Sequence, residues 1–269
     1  MSADNYQAIG IFDSGIGGLT VANAIIQRLP QEKIIYFGDT AHLPYGDKSP
    51  DAIRYYSLGI GKFLLDQGVK MIVIACNSAS SAAYHVLLEF FKGQCLFVNV
   101  VDPLVQYTVK QSYKKVGVIA TKATIGSRMY EQKLKEQQPG LEVFSMATPL
   151  LVPMIEEGFF KNEMSHNIIR TYLDHPGFRN IDALLLACTH YPLIKNEIRE
   201  ILGPSVDVID SIDAASAEVE RQLTVNHLLS PLAVPPEHRF IVSDYTPSFE
   251  ATTQLFYQQD LHLEHYSIW

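Results

Sequence analysis

A regular alternation of short apolar runs with stretches of helical period restricts this chain more than any other feature. Runs rich in Ile, Val and Leu predict strands at residues 8–12, 33–37, 71–75, 96–100, 115–120, 142–146, 183–187, 206–209 and 239–243. Between them, helical period predicts helices at 19–28, 51–67, 80–91, 125–137, 165–173, 193–202, 214–229 and 248–258. Strands that are apolar throughout rather than alternating are buried on both faces. The expectation is therefore an α/β protein of mostly parallel sheets flanked by helices.

The pattern also repeats. Ala8-Ile9-Gly10-Ile11-Phe12-Asp13-Ser14 resembles Lys115-Val116-Gly117-Val118-Ile119-Ala120-Thr121, an offset of 107 residues from Ser14 to Thr121. Ile72-Val73-Ile74-Ala75-Cys76-Asn77-Ser78 resembles Leu184-Leu185-Leu186-Ala187-Cys188-Thr189-His190, an offset of 112 residues from Cys76 to Cys188. Buried strands are compositionally alike, so chance similarity is the alternative. The matched cysteines favour two similar halves.

In open parallel sheets, ligands sit beyond the carboxyl ends of the strands. Four polar clusters fall there: Asp13-Ser14-Gly15, Cys76-Asn77-Ser78, Thr121-Lys122-Ala123-Thr124 and Cys188-Thr189-His190. Helix N-termini with hydroxyl and amide donors suit a small anionic ligand. Neither a dinucleotide fingerprint nor a phosphate-binding loop is present, because Thr20 stands where Gly15-Ile16-Gly17-Gly18-Leu19 would need a further glycine, and no Gly-Lys-Ser/Thr follows. The net charge of -8, without a basic block, points to neither nucleic acid nor an anionic membrane.

Three cysteines, an odd number, argue for free thiols over a disulfide framework. Cys95 precedes the apolar Leu96-Phe97-Val98 and reads as a packed residue. Cys76 and Cys188 each end an apolar run before polar groups and a helix start, where a thiol becomes reactive. Packing remains the alternative for either one alone. Asp13 reads as a functional carboxylate, with a structural turn as its alternative. His190 can exchange protons with the neighbouring thiol. A zinc site from Cys76, Cys188 and His190 lacks the close cysteine pair such sites use. The first residues, MSADNYQAIG, show no signal-peptide pattern, and the expected location is cytoplasmic.

The segments IGIFDSGIGGLTV, GDTAHLPYGDKS, ACNSAS, IATKATIGS, VPMIEEG and LLACTHYPL occur in the order seen in glutamate racemases of the aspartate/glutamate racemase family, which the chain resembles over most of residues 9–194. The resemblance implies two pseudo-symmetric α/β domains with the active site at their interface: 1–98 plus 208–269, with the tail returning, and 99–207. It implies interconversion of L- and D-glutamate without cofactor or metal, supplying D-glutamate for peptidoglycan. Cys76 and Cys188 would be the two acid/base residues, Cys76 facing the D-enantiomer and Cys188 the L-enantiomer, assisted by Asp13 and His190. Asp13, Ser14, Tyr45, Gly46, Asn77, Ser78, Thr121, Thr189 and His190 match substrate-binding positions, with Thr124 and Glu156 supporting. The expected partners are glutamate and a second copy in a homodimer, with no nucleic acid and no membrane. Two residues depart from the family pattern: His42 stands where Arg is frequent, and Ser78 where Thr is usual. Aspartate racemases use the same two-cysteine logic. The alternative from another class is a dead-site protein acting on a macromolecule, against which the intact cysteine pair argues.

Overall fold

Apolar strands that pair in parallel bury both faces, and here they do so twice. The computed structural model describes residues 3–257 and 261–269. Strands β1 (Ile9–Asp13), β2 (Ile34–Gly38), β3 (Met71–Ile74), β4 (Leu96–Asn99), β9 (Arg239–Val242) and β10 (Leu263–His265) form one sheet, ordered β10-β9-β2-β1-β3-β4. Strands β5 (Lys115–Ala120), β6 (Glu142–Ala147), β7 (Ala183–Ala187) and β8 (Asp207–Asp210) form the other, ordered β6-β5-β7-β8. Every pairing is parallel. Every residue of β1, β2, β3 and β7 is buried, as strands covered on both faces require.

The order β2-β1-β3-β4 recurs as β6-β5-β7-β8, which accounts for both sequence offsets. Ser14 and Thr121 follow the central strands β1 and β5, while Cys76 and Cys188 follow the third strands, β3 and β7. Strand β9 pairs with β2 and β10 with β9, so these two late strands form one edge of the first sheet. The expected boundary between residues 207 and 208 falls inside β8, and a division that keeps that sheet whole lies after Asp210.

The helices are α1 (Leu19–Arg28), α2 (Pro50–Asp66), α3 (Asn77–Phe90), α4 (Val101–Val109), α5 (Lys122–Ser127), α6 (Met129–Gln137), α7 (Leu151–Glu156), α8 (Glu163–Leu173), α9 (Lys195–Leu202), α10 (Ile212–Val225) and α11 (Pro247–Tyr257). The single helix expected at 125–137 is two, divided at Arg128, whose φ of 56° is left-handed. The sequence pattern predicts neither α4 nor α7. Each carries a proline (Pro103, Pro153) that reads as a breaker but sits in the first turn, where a missing N–H does no harm. Of the helix expected at 248–258, Gln258 lies outside the described residues.

One apolar cluster runs from the first sheet (Ile11, Val73) into the second (Leu184, Leu186), so the halves share a core beside their separate ones. Burial of this kind stabilises by roughly 25 cal/mol per Å² of apolar surface. Among the described residues no helix is long and apolar enough to cross a membrane.

Candidate active site

The two cysteine-bearing strand exits face one cavity of about 140 Å³. Cys76 and Cys188 both line it, with Ser14, Tyr45, Gly46, Asn77, Ser78, Thr121, Glu156, Thr189 and His190. Asp13 and Thr124 stand behind its wall, fully or almost fully buried. Among the described residues no group of three or more His, Cys, Asp or Glu side chains is arranged to hold a metal ion.

The glycines of the first loop bring the halves together. A Cβ on Gly17 would lie 2.4 Å from His190 Cε1 and 2.6 Å from Thr189 Oγ1, so only glycine admits this approach. A Cβ on Gly18 would meet Asp13, and one on Gly46 would meet Thr121. Thr20 Oγ1 also donates to the Thr189 carbonyl at 3.3 Å.

On the first face, Cys76 caps α3, accepting the Ala79 N–H at 3.5 Å, and its thiol donates to Ser14 Oγ at 3.6 Å. Asp13 Oδ2 accepts the N–H groups of Gly15 and Gly18, at 3.2 and 3.1 Å. Burial raises the Asp13 carboxyl above its ordinary value, against the lowering effect of His190 and of the N–H groups of Gly18, Gly15 and Ser14. Burial, then the Asp13 carboxylate, pushes the Cys76 thiol up to about 12. This face therefore keeps its proton at neutral pH.

On the second face, Cys188 Sγ lies 3.8 Å from His190 Nδ1, and His190 Nε2 lies 2.9 Å from Glu156 Oε1. Burial pulls the imidazole down, but the bonds to Cys188 and then Glu156 outweigh it and push His190 up to about 10. An imidazole raised above its ordinary value thus stands beside Cys188, and a carboxyl group raised above its own acts on Cys76. The repeat places like sulfur atoms in unlike fields.

Hydroxyls and an amide join the faces. Ser78 Oγ lies 2.9 Å from Thr121 Oγ1 and 3.3 Å from Thr124 Oγ1, so the serine found where threonine is usual keeps the bond across the halves. Tyr130 donates to Asn77 Oδ1 at 2.6 Å, which fixes the amide. Asn77 Nδ2 is buried without a hydrogen-bond partner among the described residues, and an unmet donor of this kind costs about 1–3 kcal/mol. A carboxylate in the cavity would satisfy it.

Tyr45 lines the cavity, and its hydroxyl has a partner outside it. Its hydroxyl donates to Asp39 Oδ2 at 2.6 Å, and Asp39 is not a lining residue. Burial, followed by the Asp39 carboxylate, raises the Tyr45 hydroxyl far above its usual range, so it stays a donor to Asp39. His42, the other departure, also bonds Asp39, at 2.9 Å, and stacks on Tyr56; it does not line the cavity.

Sequence reading missed Thr148, which is fully buried, lines the cavity and bonds the Tyr191 hydroxyl at 2.6 Å. The repeat contains the signal for it. Asp39 follows β2 and donates its N–H to the Asp13 carbonyl; Thr148 follows β6 and donates its N–H to the Ala120 carbonyl. Lys122 and Asp47, also unassigned, form a 3.0 Å ion pair between the halves at the cavity rim.

The chain matches the Asp/Glu/hydantoin racemase family over residues 17–219. It is 42% identical over 245 residues to a glutamate racemase of Geobacter metallireducens, covering 91% of this chain and 90% of that one. The glutamate racemase of Francisella tularensis, solved in complex with D-glutamate, superposes with a TM-score of 0.93 at 40% identity, covering 98% of each chain. That of Thermus thermophilus, solved with β-chloro-D-alanine, gives 0.89 at 37% identity, again over 98% of each. Agreement in sequence and fold across nearly the whole length leaves one conclusion: the chain belongs to the Asp/Glu/hydantoin racemase family, among its glutamate racemases.

Proposed function

We propose that this isomerase interconverts L- and D-glutamate by a two-base mechanism in which Cys76 and Cys188 work on opposite faces of the α-carbon. The observation that carries the reading is the pair of buried cysteines at equivalent strand exits, both lining one small cavity. Racemisation removes the α-proton from one face and returns one to the other, so two groups of opposite protonation meet its need without either crossing the molecule.

With L-glutamate, the Cys188 thiolate takes the α-proton while the Cys76 thiol donates its own to the far face. The reverse direction exchanges the roles. His190 stabilises charge at Cys188, and Glu156 holds the imidazole. The Asn77 amide and the N-terminus of α3 receive the substrate carboxylate and stabilise negative charge that grows during proton removal. Asp13 assists proton movement at Cys76. Neither metal nor pyridoxal phosphate enters these steps. The D-glutamate formed supplies peptidoglycan synthesis in the cytoplasm, from a homodimer whose assembly sedimentation velocity would read.

Chiral chromatography of L-glutamate incubated with chelator-treated protein tests the reading. Approach to an equal mixture of enantiomers is expected, with L-aspartate turned over far more slowly. A chelator-treated protein that recovers activity only with added metal, or that prefers aspartate, would overturn it.

A further inference from the structure

The Asp39 carboxylate gathers residues from distant parts of the chain. It is fully buried outside the cavity. Its Oδ1 accepts from Ser243 Oγ at 2.8 Å, from His42 Nδ1 at 2.9 Å and from Trp269 Nε1 at 3.2 Å, and its Oδ2 accepts the Tyr45 hydroxyl. Trp269 is the chain's single tryptophan. Its indole meets His42 edge-on at 4.9 Å between centroids and packs against Tyr55 and Tyr56 of α2. Gly59 of α2 makes room for it, since a Cβ there would lie 2.8 Å from Cη2 and Cζ3 of the indole.

From these contacts we infer that Asp39 is a positioning residue for the substrate pocket, and that the Trp269 indole, seated over Gly59, holds the carboxylate in register with Tyr45. The inference rests on the proposed function, in which the cavity lined by Tyr45 and Gly46 is the substrate pocket. The chain of contact is short and continuous: the indole fixes Asp39, Asp39 fixes the Tyr45 ring, and the ring fixes a turn whose Gly46 is pressed against Thr121 on the other half. Ser243, just beyond β9, ties the same carboxylate to the edge of the sheet. A shift of the indole therefore reaches the cavity through two hydrogen bonds, and a ligand that orders the turn reaches the indole by the same path.

The single tryptophan makes this measurable. Emission excited selectively from Trp269 should change saturably as D-glutamate is titrated into the intact protein. Two variants separate positioning from stability. Gly59→Ala raises the helix propensity of α2 and touches no cavity residue, yet it displaces the indole. Trp269→Phe keeps an aromatic ring and removes the N–H donor. Both should melt at or near the wild-type temperature, while KM for L-glutamate rises about three- to tenfold and kcat stays within about twofold, the mark of lost substrate positioning. Asp39→Asn should raise KM further. Unchanged KM in both the Gly59 and Trp269 variants, with a wild-type protein that racemises glutamate, overturns this inference alone. A wild-type protein that does not racemise glutamate overturns the proposed function with it.

Discussion

Replacing Gly17 by alanine adds one methyl group at the point where the first loop of one half touches the second. That methyl would lie 2.4 Å from His190 Cε1 and 2.5 Å from Nδ1, against an ordinary contact of 3.4 Å or more. His190 is buried and held by Glu156 at 2.9 Å on its other side, so it has little room to retreat. Either the imidazole or the loop that carries Asp13 must move by about 1 Å, and a misplacement of that size near reacting groups lowers turnover by about 10²-fold. Polarimetry of L-glutamate gives kcat/KM, and thermal melting reports whether the fold survives. Gly126→Ala is the control: it lies in α5, a Cβ there meets nothing within 4 Å, and its activity should match the wild type. A folded Gly17→Ala protein with wild-type kcat/KM would refute the claim that this glycine sets the distance between the two faces.

A substrate analogue with a leaving group on its β-carbon needs only proton abstraction, and hence one cysteine. Cys76→Ser should eliminate from the L-analogue and lose the D-analogue, with Cys188→Ser reversed; equal impairment of both enantiomers in both folded variants would contradict two separate faces. The His190 imidazole lies above its unfolded value, so its stabilisation is complete below about pH 6.5 and lost as pH rises through about 10. The melting temperature should fall between those limits, and a slope that His190→Asn leaves unaltered would remove this residue as the cause. Cys95→Ala, at a half-buried thiol outside the cavity, should keep near-normal turnover while Cys76→Ala nearly abolishes it, so comparable losses would reassign the chemistry.

The sequence disclosed what depends on local pattern and on the geometry of parallel sheets. Apolar runs ending in polar residues marked the strand exits, and all four exit clusters gather around one cavity. What it concealed depends on side chains far apart in sequence. Asp39, with Leu43-Pro44-Tyr45-Gly46, reads as a candidate whose alternative is a merely solvated carboxylate, because its partners at residues 243 and 269 carry no periodic signal. Tyr45 was legible as a cavity residue but not the fate of its hydroxyl, which bonds a residue only six positions earlier through a turn whose shape the sequence does not announce. Arg128 divides a helix in a left-handed conformation for which arginine has no preference, so only the packed structure reveals the break.

The two faces share a fold and differ in charge, and thermodynamics limits how that difference can appear. L- and D-glutamate have equal free energies in water, so at equilibrium they are equally abundant whatever the enzyme does. It follows that kcat/KM must be the same in both directions. Under the two-base reading, abstraction from D-glutamate needs the Cys76 thiolate, which burial and Asp13 make scarce. The scarce form must then react faster in proportion. Chemistry supplies that compensation, because the conditions that disfavour a thiolate also make it the stronger base. The asymmetry therefore changes kcat and KM together and leaves their ratio untouched. Unlike electrostatics at the two cysteines are thus compatible with a two-base racemase. The duplicated fold has to preserve the placement of the sulfur atoms, and not the fields around them.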